Sequence, residues 1–154
     1  MFWTRFSPTT SILKGGMDGS NPEILIPGLT NPLGIVIDFE ASRLYWAELN
    51  DNRIQSSNLQ GGDIITAVQM SGSGLYGIAI AKDRIFWGNY VDRSLQSSSK
   101  TGEDVRTLAV QDYYIRHITL VPDLTLPRNR TNHCDRHECS KVCVLTATSF
   151  RCVD

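Results

Sequence analysis

Apolar positions in this chain gather into short runs bounded by glycine, asparagine and aspartate, and no window sustains the three-and-four spacing of an amphipathic helix. The runs predict strands. Leu44-Tyr45-Trp46-Ala47 and Ile85-Phe86-Trp87-Gly88 are apolar at successive positions, so both faces of these strands are expected to be covered. The arrangement recurs at an interval. An aromatic-Trp pair stands at Phe2-Trp3, Tyr45-Trp46 and Phe86-Trp87, with the tryptophans 43 and then 41 residues apart. Recurrence at this period is the mark of a solenoid, a propeller or an array.

The rest of each copy can be superposed on the others. An aliphatic residue follows each pair at Ile12, Ile54 and Leu95, flanked by small or polar residues, and predicts a second strand. Tight turns close at Gly19, Gly61 and Gly102. A third strand is expected over 23–26, 63–68 and 104–110. The fourth run is Gly34-Ile35-Val36-Ile37, Gly77-Ile78-Ala79-Ile80 and His117-Ile118-Thr119-Leu120, which is read as completing the unit. Four short strands in about 40 residues suit one propeller blade. The expected fold class is therefore all-β, with about three blades of a β-propeller.

Composition narrows this little. The chain has 154 residues, 41% of them hydrophobic, and a net charge of −1, which argues against nucleic-acid binding by bulk charge. Three blades are expected to need the rest of a ring, because a propeller closes with roughly four to eight. On that expectation Met1 already lies inside a repeat, and the isolated chain would be poorly stable or aggregate through open blade faces. After residue 121 the composition shifts. The expected organisation is propeller repeats over 1–121, a linker over 122–131 and a small cysteine-bearing module over 132–154.

The four cysteines, Cys134, Cys139, Cys143 and Cys152, all fall in that last segment. A stretch so short cannot bury enough apolar surface unaided, so disulfides are the reading taken, with three pairings open. A zinc site is the competing account, since His133 and His137 alternate with the cysteines. Its spacings, however, lack the paired Cys-x2-Cys of structural zinc sites. Asn129-Arg130-Thr131 is a glycosylation sequon on the linker, with Asn129 as acceptor, and agrees with an extracellular setting.

These repeats resemble the YWTD β-propeller repeats of the low-density lipoprotein receptor family, and Cys139-Ser140-Lys141-Val142-Cys143-Val144-Leu145 resembles the EGF-like module that follows such propellers. The resemblance implies the last three repeats of a ring and the start of its EGF-like module. It also implies pairing of Cys134 with Cys143 and of Cys139 with Cys152. The motif's fourth position, usually Asp, is Arg5, Glu48 and Asn89 here, and the third is Thr4, Ala47 and Gly88. His117 stands where a glycine is expected.

Function follows from scaffold and loops. The expected activity is binding without catalysis or cofactor: extracellular protein ligands held on the loop face, with a membrane reached only through a segment outside this chain. Asn50-Asp51-Asn52 and Asn89-Tyr90-Val91-Asp92 are the candidate loops, against a reading of both as ordinary hairpin turns. Tyr76, Tyr113 and Tyr114 could anchor a ligand, although tyrosines beside strands are more often core. Two other readings stand. One is a truncated receptor fragment with no function of its own. The other is a propeller hydrolase with an axial metal, for which Asp38 is the sole suitable inner-strand carboxylate.

Overall fold

Successive side chains of a strand point to opposite faces, so an aromatic-Trp pair must send one ring each way. The computed structural model describes residues 1–72 and 74–119, and the backbone of 142–145 and 150–153. Over these residues the fold is all-β. The first sheet is β1 (Phe2–Arg5), β2 (Ser11–Lys14) and β3 (Glu23–Pro27), in chain order. The second is β4 (Pro32–Asp38), β5 (Arg43–Glu48), β6 (Arg53–Asn58) and β7 (Ile65–Gln69), and the third is β8 (Leu75–Ala81), β9 (Arg84–Asn89), β10 (Ser94–Ser99) and β11 (Arg106–Val110). Each is an antiparallel meander, and together they form three sheets of a β-propeller. A two-stranded ladder of β12 (Val142–Leu145) and β13 (Phe150–Val153) places Cys143 opposite Cys152. Cys134, Cys139 and Asn129 lie outside the described residues.

The aromatic-Trp pairs stitch the sheets together. Trp46 packs with Ile12, Ile26 and Leu44 between the first and second sheets, and Phe2 reaches the same seam from β1. Tyr45, its neighbour, faces the other way and packs with Ile54, Ile85 and Trp87 between the second and third sheets. Trp46 and Trp87 are wholly buried, whereas Trp3 and Phe86, whose faces meet no further described sheet, are half-buried. Leu95, expected to be buried like Ile12 and Ile54, is also half-buried. It lies on the same face of the third sheet as Phe86, two residues along the alternation of paired strands.

The phase of the blade differs from the reading of the sequence. The fourth run of each copy opens the next sheet instead of closing its own: Gly34–Ile37 lies in β4 and pairs with the Tyr45-Trp46 strand, and Gly77–Ile80 lies in β8 and pairs with the Phe86-Trp87 strand. The connections at 28–31 and 70–74 carry the chain from an outer strand to the inner edge of the neighbouring sheet. His117, Ile118 and Thr119 form no strand, having no described partner strand, and Leu120 lies outside the described residues. Asp63 and Asp104 do not open third strands. They sit in the preceding turns with φ of 52° and 53°, left-handed values that Asp tolerates better than most residues.

Those turn aspartates serve a repeated clamp. Arg43 donates to the carboxylate of Asp63 at 2.6 Å, to its carbonyl at 2.8 Å, and to Ser56 at 3.1 Å. Arg84 repeats this 41 residues on, reaching the Asp104 carboxylate at 2.9 Å, its carbonyl at 3.0 Å and Ser97 at 3.0 Å. In both sheets one guanidinium therefore fastens the outer turn to the first strand of the aromatic-Trp ladder. The Asp104 carboxyl is held below its ordinary range by its hydrogen bonds from Arg106 and Arg84.

Glycine sets how closely the inner strands approach. A methyl group on Gly34 would stand 2.7 Å from the carbonyl oxygen of Tyr76 and 2.8 Å from the amide of Ile78, so β4 lies against β8 backbone to backbone. Gly77 meets the next segment in the same way, 2.8 Å from Cα of His117. The histidine thus stands beside the close approach and leaves it intact, because it contributes only backbone there. Gly34→Ala is expected to lower the unfolding free energy by about 1–3 kcal/mol, the cost of overpacking against a rigid neighbour. Gly72→Ala, whose added methyl meets nothing within 4 Å, is expected to stay within about 0.5–1 kcal/mol. Urea unfolding followed by tryptophan fluorescence measures both, and equal effects would contradict the inner-strand contact.

Candidate functional site

The strand registers put one set of connections at the same end of the sheets. Pro32 and Arg53 both pair with Glu48, and Gln69 pairs with Arg53, so the segments at 28–31, 49–52 and 70–74 share an edge. By the equivalent pairings of Asn89 with Leu75 and Ser94, and of Ser94 with Val110, the segments at 90–93 and 111–116 share that edge too. Both loops named from the sequence, 50–52 and 89–92, are on this face.

Strand-end polar residues build its framework. Glu48, fully buried, accepts from the Trp46 indole at 2.9 Å and from the Thr30 amide at 3.2 Å. The Thr30 hydroxyl lies 2.5 Å from both Glu48 and Asp51, but its single proton serves one carboxylate at a time. Arg53, at 3.2 Å from Glu48 and 2.9 Å from Asp51, supplies the charge that both need. In the next sheet Asn89 accepts from the amides of Val91 and Asp92 at 3.0 and 3.1 Å and donates to the Asp92 carboxylate at 2.8 Å. Arg5 instead donates to Thr9, at 3.2 Å to its carbonyl and 2.7 Å to its hydroxyl. The fourth motif position thus ties a strand end to a connection in all three copies, the preceding one for Glu48 and the following turn for Asn89 and Arg5.

On this framework lies a groove of about 580 Å³, walled by Leu49, Asn50, Asn52, Tyr76, Tyr90 and Val91. Its backbone edges are tied: Tyr90 donates to the Gly74 carbonyl at 2.7 Å and Met70 to the Asn52 carbonyl at 2.9 Å. Tyrosines extend the wall outward. The Tyr76 and Tyr90 ring centroids are 5.3 Å apart, and Tyr114 stacks on Tyr90 at 4.0 Å and 13°. Arg93 lies over Tyr114 at 5.0 Å and Arg116 over Tyr90 at 5.8 Å. Of the three tyrosines expected to be core more often than exposed, Tyr76 is half-buried, whereas Tyr113 is 67% and Tyr114 46% exposed, because the segment after β11 runs over the surface.

Arg93 and Arg116 were not singled out in the sequence. A signal exists, since Tyr90 and Arg93 occupy the repeat positions held by Leu49 and Asn52, 41 residues earlier. Places where matching copies disagree mark side chains released from the demands of packing. Asn52 and Arg93 even share a left-handed backbone, with φ of 50° and 52°.

Asp38 belongs to the opposite end. Its carboxylate meets the Lys100 ammonium at 2.5 Å and accepts from the Glu40 and Ala41 amides, both at 3.1 Å, so it ties the second sheet to the turn before β11. Its one described cation partner is Lys100. Burial alone would raise the Asp38 carboxyl, but the bonds from Lys100, Ala41 and Glu40 outweigh it and hold the group below its ordinary range. Burial, with Asp38 nearby, pushes the neighbouring Tyr45 phenol up.

The folded chain therefore releases the Asp38 proton more readily than the unfolded chain. This stability is fully present above about pH 4 and lost as pH falls through the lower folded value. Asp38→Asn is expected to cost about 2–3 kcal/mol at neutral pH. Its gap from the parent should narrow below about pH 4 in urea titrations; a constant gap down to pH 3 would contradict the pairing.

No family model matches the chain. The vitellogenin receptor of Solenopsis invicta is 34% identical over 64 residues, 41% of this chain and 4% of that receptor. Vitellogenin receptor Yl of Drosophila melanogaster is 29% identical over 146 residues, 94% of this chain and 7% of that receptor. Human low-density lipoprotein receptor-related protein 5 is 38% identical over 50 residues, 32% of this chain and 3% of that protein. The chain thus spans only a small part of the length of these relatives. Among solved structures, a chain of the nidogen/laminin complex superposes with a TM-score of 0.67 at 21% identity, covering 74% of this chain and 45% of that one, a likeness of fold.

Proposed function

From a chain whose three repeats are those of the YWTD β-propellers of the low-density lipoprotein receptor family, we propose an extracellular, non-enzymatic binding module of a receptor ectodomain. Its ligand is a protein, held on the loop face. The observation that carries this reading is the groove of about 580 Å³ walled by tyrosine, asparagine and aliphatic side chains on tied loops. Tyrosine offers large contact area at small entropic cost, and rigid strands hold the loops in place before a partner arrives. Relatives named as receptors, and a fold neighbour solved with laminin, support a protein partner over a small molecule. An EGF-like module with Cys134–Cys143 and Cys139–Cys152 bridges, and a glycan on Asn129, belong to the same extracellular reading.

The test is an array of secreted proteins and cell-surface ectodomains probed with the oxidised chain. At least one is expected to bind saturably, and Val91→Gln, a neutral change on the groove wall, should weaken it about fivefold or more. Binding indifferent to Val91→Gln would move the contact elsewhere, and the absence of any saturable partner would overturn the assignment.

A further inference from the structure

Resting on the loop face as a protein-binding surface, we infer that the partner offers an extended segment in which a carboxylate side chain stands next to an apolar one. The apolar side chain enters the groove between Leu49, Tyr76 and Val91, and the carboxylate meets Arg93 and Arg116.

Three observations converge. The first is charge. Arg43, Arg53, Arg84 and Arg106 are all ion-paired within the chain, to Asp63, to Glu48 and Asp51, and to Asp104 for the last two. Arg93 and Arg116 have no such partner among the described residues. Arg93 reaches only a carbonyl oxygen, that of Asp112, at 3.4 Å. Of the acids on this loop face, Asp51 pairs with Arg53 and Asp92 accepts from Asn89.

The second is orientation. Both guanidiniums lie over tyrosine rings, at 5.0 and 5.8 Å from the centroids, and the two rings stack on each other. A guanidinium resting on an aromatic face keeps its N–H edges free, and those edges match a carboxylate in bidentate fashion. Tyr90 is at once a wall of the groove and the ring beneath Arg116, so the cationic shelf adjoins the apolar slot.

The third is an unmet acceptor. The side-chain oxygen of Asn52, on the groove wall, is buried and receives no hydrogen bond from the described residues, and the same holds for Asn31, whose amide nitrogen donates to Asn50 at 3.2 Å. An extended backbone laid in the groove presents N–H donors at regular intervals, the complement that Asn52 lacks. Apolar slot, free acceptor and oriented cations together describe a peptide strand with an acidic side chain.

A display library of short random peptides, selected on the full oxidised chain, supplies the probe. Enriched peptides are then measured on the parent, on Val91→Gln and on the double variant Arg93→Gln with Arg116→Gln, whose fold is checked by circular dichroism. Enrichment of Asp or Glu next to an aliphatic or aromatic residue is expected, with about a tenfold or greater loss on the double variant and an equal loss when the peptide acid becomes its amide. Affinity on the parent should also fall as salt rises. Enriched peptides without acids, or indifferent to the arginines while sensitive to Val91→Gln, would overturn this inference and leave the binding face standing. Peptides indifferent to both sets of changes would overturn both, and failure to enrich any peptide would overturn the inference.

Discussion

Two large rings on consecutive residues of one strand, pointing in opposite directions, hold this protein together. In β5 the Tyr45 ring enters the seam toward the third sheet while the Trp46 ring enters the seam toward the first. A strand that alternates apolar and polar residues could fill only one of these seams, because it has only one face to bury. Doubling the aromatic positions makes the sheet a layer between layers. The remaining core residues, Ile12, Ile54 and Ile85 among them, are fully buried because these rings bring the sheets face to face. Truncating either buried tryptophan would remove contacts of the kind that cost about 3–5 kcal/mol in a packed core.

Polar residues do the complementary work at the sheet edges. Buried serines on the third strand of the second and third sheets let an arginine pass beneath the outer turn, as Ser56 does for Arg43 and Ser97 for Arg84. At the other end Glu48, Asn89 and Arg5 show that the second position after the aromatic-Trp pair ties the strand end to a connection, and that no single side chain is needed for it. The Asp38–Lys100 pair adds a link between sheets, worth more than an exposed pair because Asp38 is shielded from water.

A rigid repeated scaffold leaves its loop positions free to differ. Copy by copy the packing residues agree, while Leu49 becomes Tyr90 and Asn52 becomes Arg93 at equivalent places. The difference creates a surface in one part of the array that the other part lacks: a stacked tyrosine shelf carrying guanidiniums with no ion-pair partner among the described residues, beside an apolar slot. The variation thus falls where ligands are met, and the repetition falls where sheets must pack.

Much of the architecture was legible in the chain itself. The aromatic-Trp period, the tight-turn glycines and the absence of helical spacing were enough for stacked four-strand units, since these are local patterns with local causes. Local pattern could not assign Gly34–Ile37 and Gly77–Ile80 to the sheets they open, because strand pairing is decided by which edge the returning chain reaches. Nor could it place Asp63 and Asp104 in turns, or show that Glu48 and Asn89 replace the usual aspartate, since those roles depend on partners such as Arg43 and Thr30 brought near by folding. The binding face is the clearest case. Tyr76, Tyr90, Arg93, Tyr114 and Arg116 are spread over 41 positions of sequence and meet only because three successive connections end at one edge of the sheets. Periodic side-chain chemistry is written residue by residue, but the convergence of loops is a property of the packed sheets and exists only in three dimensions.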